Sequence, residues 1–448
     1  MRKKYEEQLK LVYIIPNNKI GHQLEKISQI IDENRSICNL VHKDLTYYKD
    51  DSTGRVGLNA DQVLRSSILM KYQDLNYEEL EFYLSDSTTF KAFARMTMSV
   101  NPSKSTLQEN IKAISADTWE RINQILVDYS LNKHIESGNM TRTDATAVDT
   151  PVHYPTDSSL IRDAIRVITR LLKKGKNITS NFDYTFTDHN RAAKKKDLLI
   201  QNCKKKKQHK VYKQLLKLGK NVVTYAEQAI PQLQTRQGPT EENIATARMI
   251  SDYLEYYKEL LLRVIDQTKR RIIDGESVPA KDKIVSLFEC HTDIINKGQR
   301  ETQFGHKVFI TTGKSGIVLD CYLPRGNPND ADLFQKLLNR EKKILNKTPR
   351  QKAMDGGFAS KDNLEAAKDE GVQDMAFAKK RGLKTLDMAK SDWVYKKLRN
   401  FRAGIEGIIS ALKRAFGLDR CNWTDWEGYK QYVWSSIVTF NLQVLAKS

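Results

Sequence analysis

The segment Tyr395-KKLRNFRAGIEGIISALKR-Ala415 is predicted to form one amphipathic helix. Its polar residues recur at spacings of three and four, which places them on one face. That face carries Arg399, Arg402, Glu406, Ser410 and Lys413. A single carboxylate within a basic stripe suits metal binding or phosphate chemistry. The alternative is an ordinary surface helix with ion pairs along its own length.

The composition predicts several domains and a polyanionic partner. The chain has 448 residues with 40% hydrophobic residues, which is too long for one ordinary core and suits two or three domains. The net charge is +19, and residues 190–220 contain twelve Lys or Arg and one Asp, a local balance of 12 − 1 = +11. A basic region this concentrated indicates nucleic acid binding, with an anionic membrane surface as the alternative.

Other features of the sequence argue against secretion and membrane insertion. No stretch approaches the ~20 consecutive apolar residues of a transmembrane helix. The N-terminal segment lacks the apolar core and the cleavage site of a signal peptide. The five cysteines are isolated, without a CxxC pair or zinc-ligand spacing. We therefore expect a reducing, cytoplasmic setting and no membrane association.

The N-terminal part of the chain, residues 1–135, is predicted to be helical. Asn59 is a typical helix cap, and Ser105-Thr-Leu-Gln108 matches a capping box that would open another helix. Short helices joined by polar turns suit a small DNA-binding module of the helix-turn-helix kind. They suit any small helical domain equally, so both interpretations stay open.

The remainder, residues 136–448, alternates between strand and helix patterns. Met140-TRTDATAVD-Thr150 reads as a strand that contains Asp144. Residues 160–277 are helical again and include the lysine-rich run. Strand patterns return over residues 284–325, with a hairpin turn at 313–316, and again at Lys352-AMDGGF and Asp374-MAFAKK. This order predicts an α/β domain that is interrupted by an all-α insertion at about residues 160–280.

Three carboxylates lie in separate predicted elements of this domain. Asp144 lies inside a strand, Asp355 ends a strand before two glycines, and Glu406 lies on the helix described above. Oxygen ligands from three elements suit Mg²⁺, and two such ions support phosphoryl transfer. Taken singly, each acid could equally be a turn residue or a solvated side chain.

The lysine-rich run has two interpretations of its own. Its densest part consists of Lys204, Lys205, Lys206 and Lys207. These side chains either contact the DNA backbone or form a solvated helix face.

The chain resembles the DDE transposases of bacterial insertion sequences, which have an RNase H-like catalytic domain. Residues 56–93 are similar to their N-terminal helical domain, Thr143-Asp-Ala-Thr146 to the strand of the first acid, and Met354-DGGFAS to the segment of the second. The pattern of Arg402, Glu406 and Lys413 is similar to their signature helix. One difference is Arg399, because many relatives have tyrosine three residues before the arginine.

The resemblance implies a DNA transposase that cuts the ends of an insertion sequence and joins them to target DNA. Asp144, Asp355 and Glu406 would bind two Mg²⁺ or Mn²⁺ ions, with Asp330 as the alternative second acid. Arg399, Arg402 and Lys413 would contact phosphates. The implied partners are the terminal inverted repeats and target DNA, bound by a homodimer in the bacterial cytoplasm at the nucleoid. A metal-dependent nuclease without strand transfer and a non-catalytic DNA-binding protein are the alternatives.

Overall fold

The computed structural model describes residues 2–5, 18–47, 57–178, 181–235, 238–296 and 301–448. The chain divides into two compact units. The first unit comprises Met1–Pro151 and Gly305–Ser448, and the second comprises Val152–Phe304. Each unit is built around buried hydrophobic residues of its own.

Seven helices precede the first strand in the described part of the chain. They are α1 (Lys19–Glu33), α2 (Ser36–Thr46), α3 (Ala60–Tyr72), α4 (Tyr77–Asp86), α5 (Thr88–Phe93), α6 (Lys104–Lys112) and α7 (Ala116–Asn132). The prediction that Asn59 caps a helix is confirmed, because its side chain accepts a hydrogen bond from the Gln62 backbone N–H. The helix predicted from the capping-box pattern at Ser105 is confirmed as α6, but the predicted cap is wrong. Ser103 caps α6 instead, since its hydroxyl accepts from the backbone N–H of Thr106.

The strands form a mixed sheet. They are β1 (Met140–Asp149), β2 (Asp293–Ile295), β3 (Gln303–Thr312), β4 (Val318–Tyr322), β5 (Gln351–Met354) and β6 (Asp374–Phe377). In the first unit, β3 pairs with β4 on one side and with β1 on the other, both antiparallel. β5 then pairs parallel with β1, and β6 pairs parallel with β5. The predicted strand around Asp144 is thus confirmed as β1, in which Asp144 is opposite Ile310.

Helices make up most of the second unit. Its helices are α8 (Asp157–Lys176), α9 (Asn190–Asn202), α10 (Lys205–Gln234) and α11 (Glu241–Thr268), the last continued by a π-helical turn (Lys269–Ile273). These helices pack around their own buried leucines, isoleucines and valines. No helix among the described residues is both long and apolar enough to cross a membrane.

Six more helices complete the first unit. They are α12 (Phe334–Leu345), α13 (Lys361–Asp369), α14 (Thr385–Met388), α15 (Asp392–Ala403), α16 (Ile405–Ala415) and α17 (Asp425–Lys447). α17 is buried along most of its length, and its hydrophobic residues belong to the same core as those of the N-terminal helices. The amide of Asn441 on α17 donates to Asn123 on α7 and to the carbonyl of Val318 on β4. The boundary predicted at about residue 135 stays a prediction.

The prediction of one continuous helix from Tyr395 to Ala415 is wrong at Gly404. Here the chain ends α15 and begins α16. The guanidinium of Arg142 donates to the carbonyl of Phe401 and lies 4.4 Å from the centroid of its ring. A Cβ atom at Gly404 would lie 2.3 Å from Nη1 of Arg142. The Arg142 guanidinium therefore occupies the space that a side chain at position 404 would need, so only glycine fits between α15 and α16.

We expect residues 152–304 to fold when expressed alone, because the helices of the second unit bury a hydrophobic core of their own. Circular dichroism should show a helical spectrum and one cooperative thermal transition. Leu215→Asp, at a fully buried position, should abolish that transition. Lys217→Asp on the exposed face of the same helix should preserve it. A gradual, non-cooperative melt of the wild-type segment would contradict this expectation.

Candidate active site

Three acidic side chains come from three different elements of the first unit. Asp144 lies within β1, Asp355 directly follows β5, and Glu406 lies in the first turn of α16. The side chain of Asp144 is 12% exposed, whereas those of Asp355 and Glu406 are 42% and 67% exposed. Asp144 is therefore the inner member of the group, and the other two face solvent.

The guanidinium of Arg402 contacts all three carboxylates. Its Nη2 lies 2.6 Å from Oδ2 of Asp144 and 3.1 Å from Oδ1 of Asp355. Its Nη1 lies 3.0 Å from Oε1 of Glu406, one helical turn further along the chain. The three carboxylates therefore lie around one guanidinium. The structure brings together the residues that the sequence singled out, while their catalytic role stays a prediction.

A buried polar network lies beside Asp144 in the sheet. The hydroxyls of Thr143 on β1 and Thr311 on β3 are 2.9 Å apart. The ammonium of Lys352 on β5 lies 3.2 Å from the Thr143 hydroxyl and forms a fully buried ion pair with Glu341 on α12. These bonds join three strands and a helix, and so fix the backbone on which Asp144 is carried.

Sequence reasoning missed this network, although two signals were present. Lys352 stands next to Ala353 and Met354 in a short buried strand, and Glu341 falls on the buried face of α12. That face also carries Phe334, Leu337, Leu338 and Leu345, so a carboxylate there needs a cationic partner.

The alternative second acid, Asp330, has a different partner. Its Oδ1 lies 3.0 Å from the ammonium of Lys307 on β3. A Cβ atom at Gly357 would lie 2.6 Å from Oδ2 of Asp330. Asp330 therefore packs against the glycine turn that follows Asp355, but it is neutralised by Lys307 and forms no ion pair with Arg402 among the described residues.

The structure does not bring Lys413 and Arg399 to the three acids. The ammonium of Lys413 lies 3.1 Å from Oδ1 of Asp419. Asp419 also lies near Asp149 at the end of β1, where burial and the charge of Asp419 raise the pKa of the Asp149 carboxyl. Arg399 is exposed on α15 and forms no ion pair within the described ranges. The break at Gly404 divides the polar stripe predicted for one straight helix.

The four lysines at positions 204–207 lie in the second unit. Lys204 is the N-cap of α10, and the other three form its first turn. All four side chains are exposed, and no acidic residue occupies this turn. The positive end of the helix dipole adds to their charge, which favours binding of an anion such as phosphate.

Two family models match the sequence. The model described as "Transposase DDE domain" matches residues 266–442, and that described as "Transposase domain (DUF772)" matches residues 14–113. The chain belongs to the DDE transposases of insertion sequences. No curated protein and no solved structure matches it.

The matched segments explain how this transposase is organised. The DDE match contains Asp355 and Glu406 but begins after Asp144, which precedes the second unit in sequence. The predicted α/β fold with an RNase H-like catalytic domain is confirmed by this match and by the mixed sheet. The match at residues 14–113 lies in the N-terminal helical region and is likewise a transposase domain.

The transposase family uses divalent cations, and the three carboxylates are the candidate ligands for them. Within the described part of the chain, no three His, Cys, Asp or Glu side chains are arranged to hold a metal ion as they stand. The three carboxylates do share one cation, the Arg402 guanidinium. Its Nε is buried and has no hydrogen-bond partner in the same residues. Carboxylate oxygens are the ligands that Mg²⁺ and Mn²⁺ prefer. The donor set therefore fits a hard cation once Arg402 moves away.

Proposed function

We propose that this transposase cuts DNA at the ends of an insertion sequence and joins those ends to target DNA by metal-dependent phosphoryl transfer. The observation that carries the proposal is the contact of Asp144, Asp355 and Glu406 with one guanidinium. Three carboxylates gathered around a cation are the donor set for two-metal chemistry. Membership of the family supports the reaction class.

In this proposal Asp144, Asp355 and Glu406 would hold two Mg²⁺ or Mn²⁺ ions, whose chemistry would be to activate the attacking oxygen and stabilise the leaving oxygen. The backbone of Asp144 is held in place, because Asp144 is opposite Ile310 on β3 and the preceding Thr143 is opposite Met354 on β5. Asp355 lies before Gly356 and Gly357, so the backbone allows close approach of a DNA strand. The second acid is Asp355 rather than Asp330, because Asp330 is paired with Lys307.

Arg402 has two roles in the proposed mechanism. In the free protein its guanidinium offsets the mutual repulsion of three carboxylates. With the carboxylates engaged by cations instead, the guanidinium would be free to donate two parallel hydrogen bonds to a phosphate. The partly exposed Lys413 and the exposed Arg399 would contact the DNA backbone further from the acids.

The proposed partners are the terminal inverted repeats and the target DNA. Two copies of the chain would pair the two ends in a homodimer. The N-terminal helical region would read the repeat sequence, and the lysines at the start of α10 would hold the backbone. The protein would act in the bacterial cytoplasm, at the nucleoid.

Replacing Lys204, Lys205, Lys206 and Lys207 with Gln should weaken DNA binding about equally for all sequences, because phosphate contacts carry no base information. The log–log slope of affinity against salt should flatten by about 0.9 for each phosphate that the variant no longer neutralises. Fluorescence anisotropy with an end sequence and a scrambled duplex measures both effects.

A matched control removes four exposed lysines of the first unit instead. It replaces Lys336, Lys343, Lys347 and Lys361 with Gln. This control makes the same change in net charge, so it should change the slope much less if the cluster at positions 204–207 contacts phosphates. An unchanged slope in the variant at positions 204–207 would show that the run is only a solvated helix face. Lost selectivity for the end sequence would place sequence reading in the second unit.

An assay with paired element ends, Mg²⁺ or Mn²⁺ and a supercoiled target tests the proposed function directly. Joined products are expected. Cut ends without joining would favour a nuclease, and binding without cutting would indicate a non-catalytic DNA-binding protein. An Asp144→Asn control identifies any activity from a contaminating nuclease.

A further inference from the structure

A cavity of about 360 Å³ lies within the first unit, and none of the three acids lines it. It is bounded by the end of α3, the start of α4, one face of α6 and the residues around the start of α17. This volume lies in the range of pockets that take small ligands. Nothing in the proposed reaction uses it.

The wall of this cavity contains a buried lysine. Lys71 is 3% exposed, and its Nζ lies 2.9 Å from the ring centroid of Tyr432 and 5.5 Å from that of Trp423. Across the residues that the structure describes, this ammonium forms no ion pair and donates no hydrogen bond. Burial lowers the pKa of Lys71 to about 7, which reflects the cost of keeping its charge away from water.

The two aromatic rings compensate for only part of that cost. A cation over an aromatic face is attracted to the negative face of the ring. An ammonium has three N–H groups, and the face of Tyr432 accepts from one side only. The hydroxyl of Tyr77, also in the cavity wall, is buried without a hydrogen-bond partner among the described residues. The ammonium of Lys71 thus lacks hydrogen-bond acceptors, and the hydroxyl of Tyr77 lacks a hydrogen-bond partner, beside the same cavity.

The charged side chains that line the cavity favour the binding of an anion. Lys112 on α6 lines the same cavity and forms no ion pair in the described ranges. Lys104 and Glu78 neutralise each other at 3.1 Å. The carboxylate of Asp74 raises the pKa of Lys71 but lies beyond ion-pair distance. Two lysines therefore remain for a ligand, against the single carboxylate of Asp74.

We propose that this cavity binds one phosphate group of a DNA strand, with Lys71 as the principal ligand and Lys112 as the second. The two lysines and the neighbouring Tyr77 hydroxyl are hydrogen-bond donors, and such donors suit the oxygens of a tetrahedral oxyanion. DNA as its source rests on the proposed function, since the cavity is partly built from the segment that matches a transposase domain. The site would hold a strand at a point separate from the acids.

Isothermal titration with sulfate tests the site without any DNA chemistry. The wild-type protein should bind sulfate, and Lys71→Met should lower the affinity by about 10- to 100-fold, the value of a hydrogen bond to a charged group. Lys26→Met, which removes an exposed lysine of α1, is the matched control and should leave the affinity unchanged. Absence of sulfate binding to the wild type, or equal affinity in Lys71→Met, would overturn the proposal.

Thermal unfolding separates loss of the ligand from loss of the fold. Methionine is close to lysine in shape, so Lys71→Met removes a buried charge without leaving a cavity. The variant should unfold at no lower temperature than the wild type when sulfate is absent. If it unfolds earlier, Lys112→Gln replaces it in the titration and should lower the sulfate affinity by itself. Unchanged affinity in Lys112→Gln would then contradict the site.

A second titration distinguishes the source of the phosphate. Duplex DNA added first should suppress the sulfate response that depends on Lys71. Sulfate binding that requires Lys71 but persists in saturating DNA would overturn the assignment to DNA and indicate a site for free phosphate. DNA cleavage is not measured in this experiment, so its outcome is independent of whether the acids are catalytic.

Discussion

Asp144→Asn is expected to abolish DNA cleavage while leaving DNA affinity unchanged. Asp144 is the innermost of the three acids, and asparagine offers a neutral oxygen where a cation needs a charged one. Changes to groups behind metal ligands already cost about 10- to 100-fold in activity or metal affinity, so loss of a ligand should exceed about 100-fold. Gel assays of end cleavage test the loss of activity, and anisotropy measurements test the unchanged DNA affinity.

The fold should survive this substitution. Asparagine can still accept a hydrogen bond from Arg402, and the pairing of β1 on both sides does not depend on the side chain. Asp355→Asn and Asp330→Asn extend the test to the second acid. We expect the first to be as severe as Asp144→Asn and the second to retain most activity. Cleavage by Asp144→Asn at the wild-type rate would remove the acids from the mechanism. If Asp330→Asn abolished cleavage and Asp355→Asn did not, only the identity of the second acid would change.

Arg402→Ala is expected to have opposite effects on two measurements. Cleavage should fall by about 10- to 100-fold, because the phosphate loses its bidentate donor. Binding of Mn²⁺ to the DNA-free protein should become tighter, because the guanidinium no longer competes for Asp144, Asp355 and Glu406. Titration of free Mn²⁺ by electron paramagnetic resonance measures the second effect without any catalysis.

Lys396→Ala is the matched control, since it removes an exposed positive charge from the same helix, α15. Neither measurement should change in this control. If Arg402→Ala weakened Mn²⁺ binding, the arginine would be needed to position the carboxylates rather than to compete for them. If both measurements matched the wild type, Arg402 would be a surface residue with ion pairs only.

The elements that carry the three acids were predicted well because their signals are local. Alternating Thr and Val residues identified β1 around Asp144, and a short apolar run before two glycines identified the end of β5. The helical conformation around Glu406 follows from the three- and four-residue spacing of the polar residues, but the start of α16 after Gly404 was not predicted. These patterns depend on neighbours within a few positions, so a single sequence contains them.

The arrangement between the elements could not be predicted, because it depends on residues that are distant in sequence. The guanidinium that packs against the break at Gly404 belongs to Arg142, which lies more than 250 residues earlier. The contact of Arg402 with Asp144 and the burial of Lys352 against Thr143 likewise join residues that are more than 200 positions apart. Sequence reasoning placed Arg402 correctly on the polar face but assigned it to phosphate alone. The three carboxylates that surround it were visible only in the folded chain.

The pairing of β1 with β3 has a consequence for how the chain folds during synthesis. Asp149 and Gly305 are register partners, although the whole second unit lies between them in sequence. A ribosome therefore releases β1 long before its partner strand exists. Closing so long a loop as a random coil costs entropy and is slow. A second unit that folds first, with its two ends close together, removes most of that cost, because it returns the chain to the place where it left the sheet. The insertion would then act as a folding aid that sets the order in which the catalytic sheet is assembled.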